Sequence, residues 1–332
     1  MKENNLEIKI INSREELDLL WNMRDEYMYR DILSNDKIGL EITEKDREWL
    51  LSPEYRDYME KLFFRNINKA YPVLLKKEKK VVGFCIYCTY HSEDGKCFIV
   101  EYCILPKYRG NKLGTVFFNM IKETEVLKGA KYFELNVSNK RNMSFWMKQG
   151  FNFKGIDKYG SVILTTEKDS ILLFNLDENN WLDIISLKLS EEQLRYVSSP
   201  LGVLARGYIY RKYNPIIFGI QKGKETIGVL MVRDIYERPE CYELQQFLID
   251  IKYQNKGYGY KALKLILDYL YIERKYDKVE VCVKKDNTNA IKLYKKIDFI
   301  DTEYVDPKVE DTYNLVFNFK DLDKIIQGNK DY

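Results

Sequence analysis

LIDIKYQNKGYGYKAL, residues 248–263, is the stretch on which the fold turns. It begins apolar and β-prone, passes through Gln254-Asn255-Lys256-Gly257-Tyr258-Gly259, and runs into Leu263, Ile266, Leu267 and Leu270 at helical spacing. A strand over 240–251, a glycine-bearing loop and a helix over 257–274 are predicted in that order. Such a loop aims several backbone N–H groups at one point, and the helix dipole favours negative charge there. Glycine at 257 and 259 lets the backbone approach a phosphate without a Cβ in the way. Taken alone, the string fits a plain helix-start turn equally well.

A second constellation follows downstream: Asn287-x-x-Ala290-x-x-x-Tyr294-x-x-x-x-Phe299. Asn287 stands where a strand ends and can cap the next helix. Ala290 and Tyr294, four apart, share one helix face. That face can set a small residue beside a cofactor and a phenol at its reactive end, or can simply bury a core tyrosine.

Laid over each other, the two halves of the 332-residue chain match. KKVVGFCIY (79–87) matches GKETIGVLMV (223–232), with Gly83 and Gly228 145 positions apart. FIVEYCILPKYRGNKLG (98–114) matches YELQQFLIDIKYQNKGYG (242–259), with Gly114 and Gly259 again 145 apart. KYFELNV (131–137) matches DKVEVCV (277–283), and FWMKQGF (145–151) matches LYKKIDF (293–299). Four segments in one order at a nearly constant offset are a duplication. Each half reads as an α/β unit with a mixed sheet, the first over 1–169 and the second over 170–332.

In the second half, Trp181–Leu187 reads as a first strand, with helical Glu191–Val197 and Gly202–Arg211 after it. Strands at 215–221 and 225–233 precede the one leading to the loop. Strand 278–283, helix 288–297 and strands 299–305 and 312–319 complete it. The first half opens with helices near 14–30 and 44–66, and Leu113, Val116, Phe117, Met120 and Ile121 form its helical stripe.

The loop, the strand and the N-x-x-A-x-x-x-Y helix resemble the GNAT acyltransferase superfamily. Segment 175–319 is similar in particular to bacterial diamine and spermidine N-acetyltransferases, through NNWLDIISLKLSEEQLRYV, LIDIKYQNKGYGYKAL and DNTNAIKLYKKIDF. The resemblance implies two tandem GNAT domains using acetyl-CoA. It implies that Gln254, Asn255 and the amides of Lys256, Gly257, Tyr258, Gly259 and Tyr260 hold a pyrophosphate. Leu248 and Ile249 would pair with the pantetheine, Asn287 would touch the cofactor arm, and Tyr294 would be the general acid. The chemistry is consistent: the amine must attack unprotonated, and the departing thiolate needs a proton. Glu243 shares a strand face with Gln245 by two-residue periodicity and is the carboxylate available as base. Some relatives carry a carboxylate at the place of Gln245.

The first half departs from this pattern. Lysine occupies the first glycine position of Arg109-Gly110-Asn111-Lys112-Leu113-Gly114. A residue of ordinary helical φ needs no glycine there, so cofactor binding stays open. Trp146 stands where the tyrosine would be and has no hydroxyl with which to protonate a thiolate, so it reads as packing. Glu101 on the preceding strand keeps an altered activity open. The first half is therefore expected to be degenerate and the second catalytic.

Composition narrows the remaining classes. Hydrophobic residues are 45% and charged residues 32%, which is globular. Lys and Arg total 54 against 51 acidic residues, a net +3 that gives no support for nucleic-acid binding. The start, MKENNLEIKI, has no signal-like apolar run, and no stretch approaches the ~18 apolar residues of a membrane helix. A cytoplasmic protein with no membrane partner is expected. One histidine, His91, excludes histidine-cluster chemistry, and no metal site is expected. Cys85 and Cys88 form a C-x-x-C on a strand, three apart and hence on opposite faces, which suits structural thiols. Acidic Asp234, Glu237 and Glu240 could attract a cationic acceptor. The leading expectation is acetylation of a primary amine of a small molecule, a diamine or polyamine among the options. Acyl transfer to a larger metabolite held between the halves and a non-catalytic acyl-CoA-binding regulatory protein are the alternatives. A homodimer is one option for assembly.

Overall fold

A computed structural model describes residues 6–33, 38, 42–304, 309 and 311–330. By its contacts the chain divides into Met1–Asn152 with Ser161–Glu167, and Phe153–Gly160 with Lys168–Tyr332. In the first unit the strands are β1 (Leu6–Ile10), β2 (Ala70–Lys77), β3 (Lys80–Thr89), β4 (Lys96–Ile104) and β5 (Tyr132–Val137). β7 (Val162–Thr165) follows, and the strands of this unit run β1-β2-β3-β4-β5-β7; β6 (Asn152–Ile156) falls, from Phe153 on, to the second unit. In the second unit β8 (Ile171–Asn175), β9 (Ile216–Lys222), β10 (Glu225–Ile235) and β11 (Cys241–Ile249) precede β12 (Lys278–Lys284), β13 (Ile300–Asp301) and β14 (Thr312–Asn318). Their order is β13-β14-β12-β11-β10-β9-β8. Both sheets are mixed, because β4–β5 and β11–β12 are parallel while their neighbours are antiparallel.

The helices of the first unit are α1 (Arg14–Tyr27), α2 (Glu44–Leu51), α3 (Pro53–Phe64), α4 (Leu113–Leu127) and α5 (Lys140–Met147). A π-helical turn, Met28–Ile32, continues α1. The single helix expected near 44–66 is two, because Ser52 caps a fresh start through Tyr55 N and Pro53 cannot continue the helix before it. Leu20 and Trp21 of α1 and Met59 and Phe63 of α3 bury against Leu74, Phe84 and Ile86.

The second unit has α6 (Trp181–Ile185), α7 (Pro200–Ile209), α8 (Tyr258–Glu273), α9 (Thr288–Lys296) and α10 (Phe319–Lys330). The strand expected at Trp181–Leu187 is instead the short helix α6. Asp177 and Asn180 build a turn whose carbonyls start it, and the buried residues Ile184 and Leu187 are three apart, a helical spacing. The first strand of this unit's sheet is β8, starting ten residues earlier at Ile171. Of Glu191–Val197 only the turn Gln193–Arg195 is helical, and the strand expected at 299–305 is Ile300–Asp301, residue 305 lying outside the described residues. Leu263, Ile266, Leu267 and Leu270 of α8 are all buried, as their spacing requires.

One glycine position recurs for a physical reason. A Cβ on Gly228 would lie 2.5 Å from Leu248 O and 2.9 Å from Ile249 Cδ1; on Gly83 it would lie 2.2 Å from Cys103 O. In each unit only glycine lets the central hairpin close this tightly. Gly228→Ala is accordingly expected to lower the unfolding free energy of the second unit by about 1–3 kcal/mol, the usual cost of overpacking, measured by denaturant titration.

Candidate active site

The site of the second unit starts from a parting of strands. β11 pairs with β12 only at Tyr242↔Val279 and Glu243↔Glu280. Beyond Glu243 it keeps its partner β10 as far as Ile249 but has no ladder on its other edge. A bulge lies where the strands part: Met231 faces Gln246 and Val232 faces Leu244, leaving Gln245 as the extra residue. The edge groups can be identified by alternation. Asp250 N donates to Ile227 O of the β10 side at 2.9 Å, so the polar groups of Leu248 also face β10. Those of Phe247 and Ile249 face the open edge, where Ile249 O accepts from Gln254 Nε2 at 2.7 Å. The edge thus belongs to Phe247 and Ile249, and Leu248, expected there from sequence, turns its backbone the other way and its side chain into the core.

At the end of this edge the chain turns into α8. Asn255 and Gly257 are left-handed, with φ of 59° and 79°. Asn255, Lys256 and Gly257 are exposed. A Cβ on Gly257 would meet nothing within 4 Å, so backbone conformation alone requires the glycine. Gly259 differs: its nearest neighbours are Leu293, Ile249 and Phe247 at ordinary contact distances. Tyr258 opens the helix and Lys296 lies over the Tyr260 ring.

Asn287 caps α9, its Oδ1 accepting from Ala290 N at 3.3 Å. Tyr294 is 6% exposed, and its ring packs on Phe299 at 5.4 Å between centroids. Its hydroxyl has no hydrogen-bond partner among the described residues. Burial alone pushes this phenol well above its ordinary range, so it holds its proton.

The acceptor side of the bulge differs from expectation. Glu243 is ion-paired with Arg233, which lies over the rings of Tyr210 and Tyr213. Simple alternation would turn Gln246 away from Glu243. The bulge instead brings Gln246 under α7, where its Oε1 accepts from Ser198 N at 2.8 Å. Gln246, not Gln245, is the counterpart of Glu101, since Met231 and Ile86 face them at the same 145-residue offset. The offset of 145 between Gly83 and Gly228 is the sequence signal that pairs Gln246 with Glu101. Of the acidic loop residues, Asp234 is buried and already holds Lys275, Asn214 and Tyr236.

The first unit has the same parting after Ile99↔Leu135, with a bulge at Val100. Its contents are different. Trp146 is packed among Tyr102, Phe118, Phe145 and Phe151, with ring centroids 5.0–5.3 Å away. Tyr102 donates to Gly114 O at 2.6 Å. Glu101 is buried against Arg24 (2.6 Å) and accepts from Tyr55. Burial pushes its carboxyl up, opposed by the guanidinium. Arg109 repeats the bond of Gln254, donating to Ile104 O at 2.7 Å, and also grips Asp31. Lys112 does not have the ordinary helical φ that the sequence reading assumes: it is left-handed at 57°. Cys85 and Cys88 are buried free thiols, Cys88 donating to Asn68 O. Among the described residues no group of three His, Cys, Asp or Glu is placed to hold a metal, and no helix is long and apolar enough to cross a membrane.

Comparison with known proteins agrees with both units. The model of the acetyltransferase (GNAT) family matches residues 39–151 and 181–299. The spermine/spermidine N(1)-acetyltransferase of Bacillus subtilis (strain 168) is 28% identical over 135 residues, 39% of this chain and 88% of that protein. Among solved structures, the PaiA N-acetyltransferase of Thermoplasma acidophilum in complex with coenzyme A is 19% identical, covering 49% of this chain and 99% of that one at a TM-score of 0.38. Spermidine N-acetyltransferase of Vibrio cholerae in complex with CoA and spermine is 18% identical, covering 46% and 97% at 0.37.

The two loops invite a paired test of their backbone. A left-handed residue with a Cβ costs roughly 1–2 kcal/mol. Lys112→Gly is expected to stabilise the first unit by about 0.5–1 kcal/mol, after the entropy of glycine, and Gly257→Ala to destabilise the second by about 1 kcal/mol, both read by denaturant titration.

Proposed function

Since the chain belongs to the acetyltransferase (GNAT) family, we propose that its second unit moves an acetyl group from acetyl-CoA to a primary amine of a small molecule. One observation carries this reading: Tyr294 is a buried phenol without a protein partner, at the position where the first unit has Trp146 in an aromatic cluster. The first unit is read as non-catalytic for the same reason.

The residues of the second unit fit acetyl-CoA in kind. Phe247 and the N–H of Ile249 offer backbone groups along the open edge of β11 to the pantetheine, the Ile249 carbonyl being taken by Gln254. The exposed turn at Lys256 and Gly257, with the first amides of α8 through Tyr260, offers donors and a helix dipole to the diphosphate. Gln254 braces that turn through Ile249 O, and Asn287, its Oδ1 used in capping, keeps Nδ2 for the cofactor arm. Bound acetyl-CoA would supply a thioester activated for acyl transfer. An edge amide of β11 polarises the acyl carbonyl, and Tyr294 Oη holds a proton for the leaving sulfur. A phenol near ~10 or above remains neutral when a thiol of roughly 8.5 departs. Glu243 would have to release Arg233 to accept the amine proton.

Support for a diamine or polyamine acceptor comes from the names of the relatives. The acidic loop adds little to it, because Asp234 is already paired.

Tyr294→Phe is expected to lower kcat by about 10²-fold or more while the dissociation constant for acetyl-CoA stays within about twofold. The wild-type rate is expected to show no fall up to about pH 10, because burial keeps the phenol protonated. Free-CoA release, calorimetry and a pH–rate profile check these. Undiminished turnover in the Phe variant would overturn the role of Tyr294.

A further inference from the structure

Above the bulge of β11 the second unit carries a positive charge that its own residues do not balance. Arg206 on α7 donates from Nε to Ser198 Oγ at 2.7 Å. A guanidinium has five N–H donors, and those of Nη1 and Nη2 have no partner among the described residues. The same Ser198 gives its backbone N–H to Gln246 Oε1, which ties Arg206 to the bulge through one residue. Beside Gln246, the Oε1 of Gln245 is buried without a hydrogen-bond partner. Its counterpart Val100 packs into the cluster under α1 and α3, the side that α7 covers in the second unit.

The first unit shows how this place looks when the chain balances it. There Glu101 occupies the position of Gln246, and Arg24 neutralises it in a buried pair. In the second unit the carboxylate is replaced by a neutral amide, the other nearby carboxylate, Glu243, is spent on Arg233, and Arg206 faces only a hydroxyl. A polycation gains nothing from such a surface. A molecule with a carboxylate for the two free ends of Arg206 and an N–H for Gln245 Oε1 gains both contacts, one of them the bidentate pair that guanidinium geometry favours.

We propose that the amine acetylated by the second unit also carries a carboxylate, received by Arg206, and that Gln245 accepts a hydrogen bond from its amino group; this rests on the acyl-transfer reading above. Arg206 and Gln245 thereby set specificity for an amino-carboxylate over a plain diamine or polyamine.

Matched acceptors that differ by one carboxylate test this: L-lysine against cadaverine and L-ornithine against putrescine, with the full chain, acetyl-CoA and free-CoA release. The expected result is a kcat/KM at least tenfold higher for the carboxylate member of each pair. Arg206→Ala should erase that ratio mainly through KM for the amino acid, and Arg206→Lys should restore part of it. Equal or better turnover of cadaverine and putrescine, or a ratio unmoved in Arg206→Ala, overturns the proposal while leaving acetyl transfer in place. Should no amine be acetylated, the function proposed above fails, and equilibrium dialysis of labelled L-lysine against CoA-loaded chain decides this inference separately. Binding lost in Arg206→Ala upholds it; no binding, or binding indifferent to that change, overturns it.

Discussion

Two parallel strands that pair at two positions and then part create everything that makes the second unit chemically interesting. The ladder between β11 and β12 ends at Glu243↔Glu280, and the bulge at Gln245 follows at once. A strand edge with unpaired N–H and C=O groups is ordinarily a liability. Here that edge runs into a turn of exposed residues in which Asn255 and Gly257 are left-handed, and the helix behind it adds its dipole. On the other edge β10 approaches β11 closely at Gly228, where no side chain fits. An extended thiol-bearing cofactor with a diphosphate at one end is the kind of molecule that satisfies both parts together.

The duplicated first unit shows that fold and chemistry separate. It keeps the parting, the bulge, the tight glycine and the left-handed turn, even with lysine in it. What it lacks is an unpaired acid. Trp146 fills its place with aromatic contacts, and Glu101 is locked to Arg24 and Tyr55. Aromatic packing fills the position that the second unit leaves to Tyr294, and a buried ion pair balances charge where the second unit has neutral Gln246 and an Arg206 that faces only a hydroxyl.

Most of the architecture was legible because it rests on periodicity and repetition. The apolar stripe of α8, the strands flanking the loop and the capping asparagine Asn287 are all local signals, and a four-segment repeat multiplies each of them. The failures have local causes as well. WLDIISL is rich in β-formers and so reads as a strand, whereas the Asp177–Asn180 turn that starts α6 there is a side-chain hydrogen-bond pattern. The bulge inserts one residue and so reassigns faces, which strict alternation cannot foresee; that is why Gln246 was missed. Leu248 was expected on the open edge because sequence does not say which edge of a strand is paired. The left-handed φ of Lys112 runs against the preference of lysine and follows from the turn imposed around it.

The central claim is that the second unit holds the cofactor with its sulfur beside Tyr294. Crystals of the full chain grown with coenzyme A test it most directly. The account predicts density with the diphosphate on the amides of residues 256–260, the pantetheine along Phe247 and Ile249, and the sulfur within hydrogen-bond reach of Tyr294 Oη. Coenzyme A bound at the loop of the first unit instead, or in the second unit with its sulfur directed away from that hydroxyl, would contradict it.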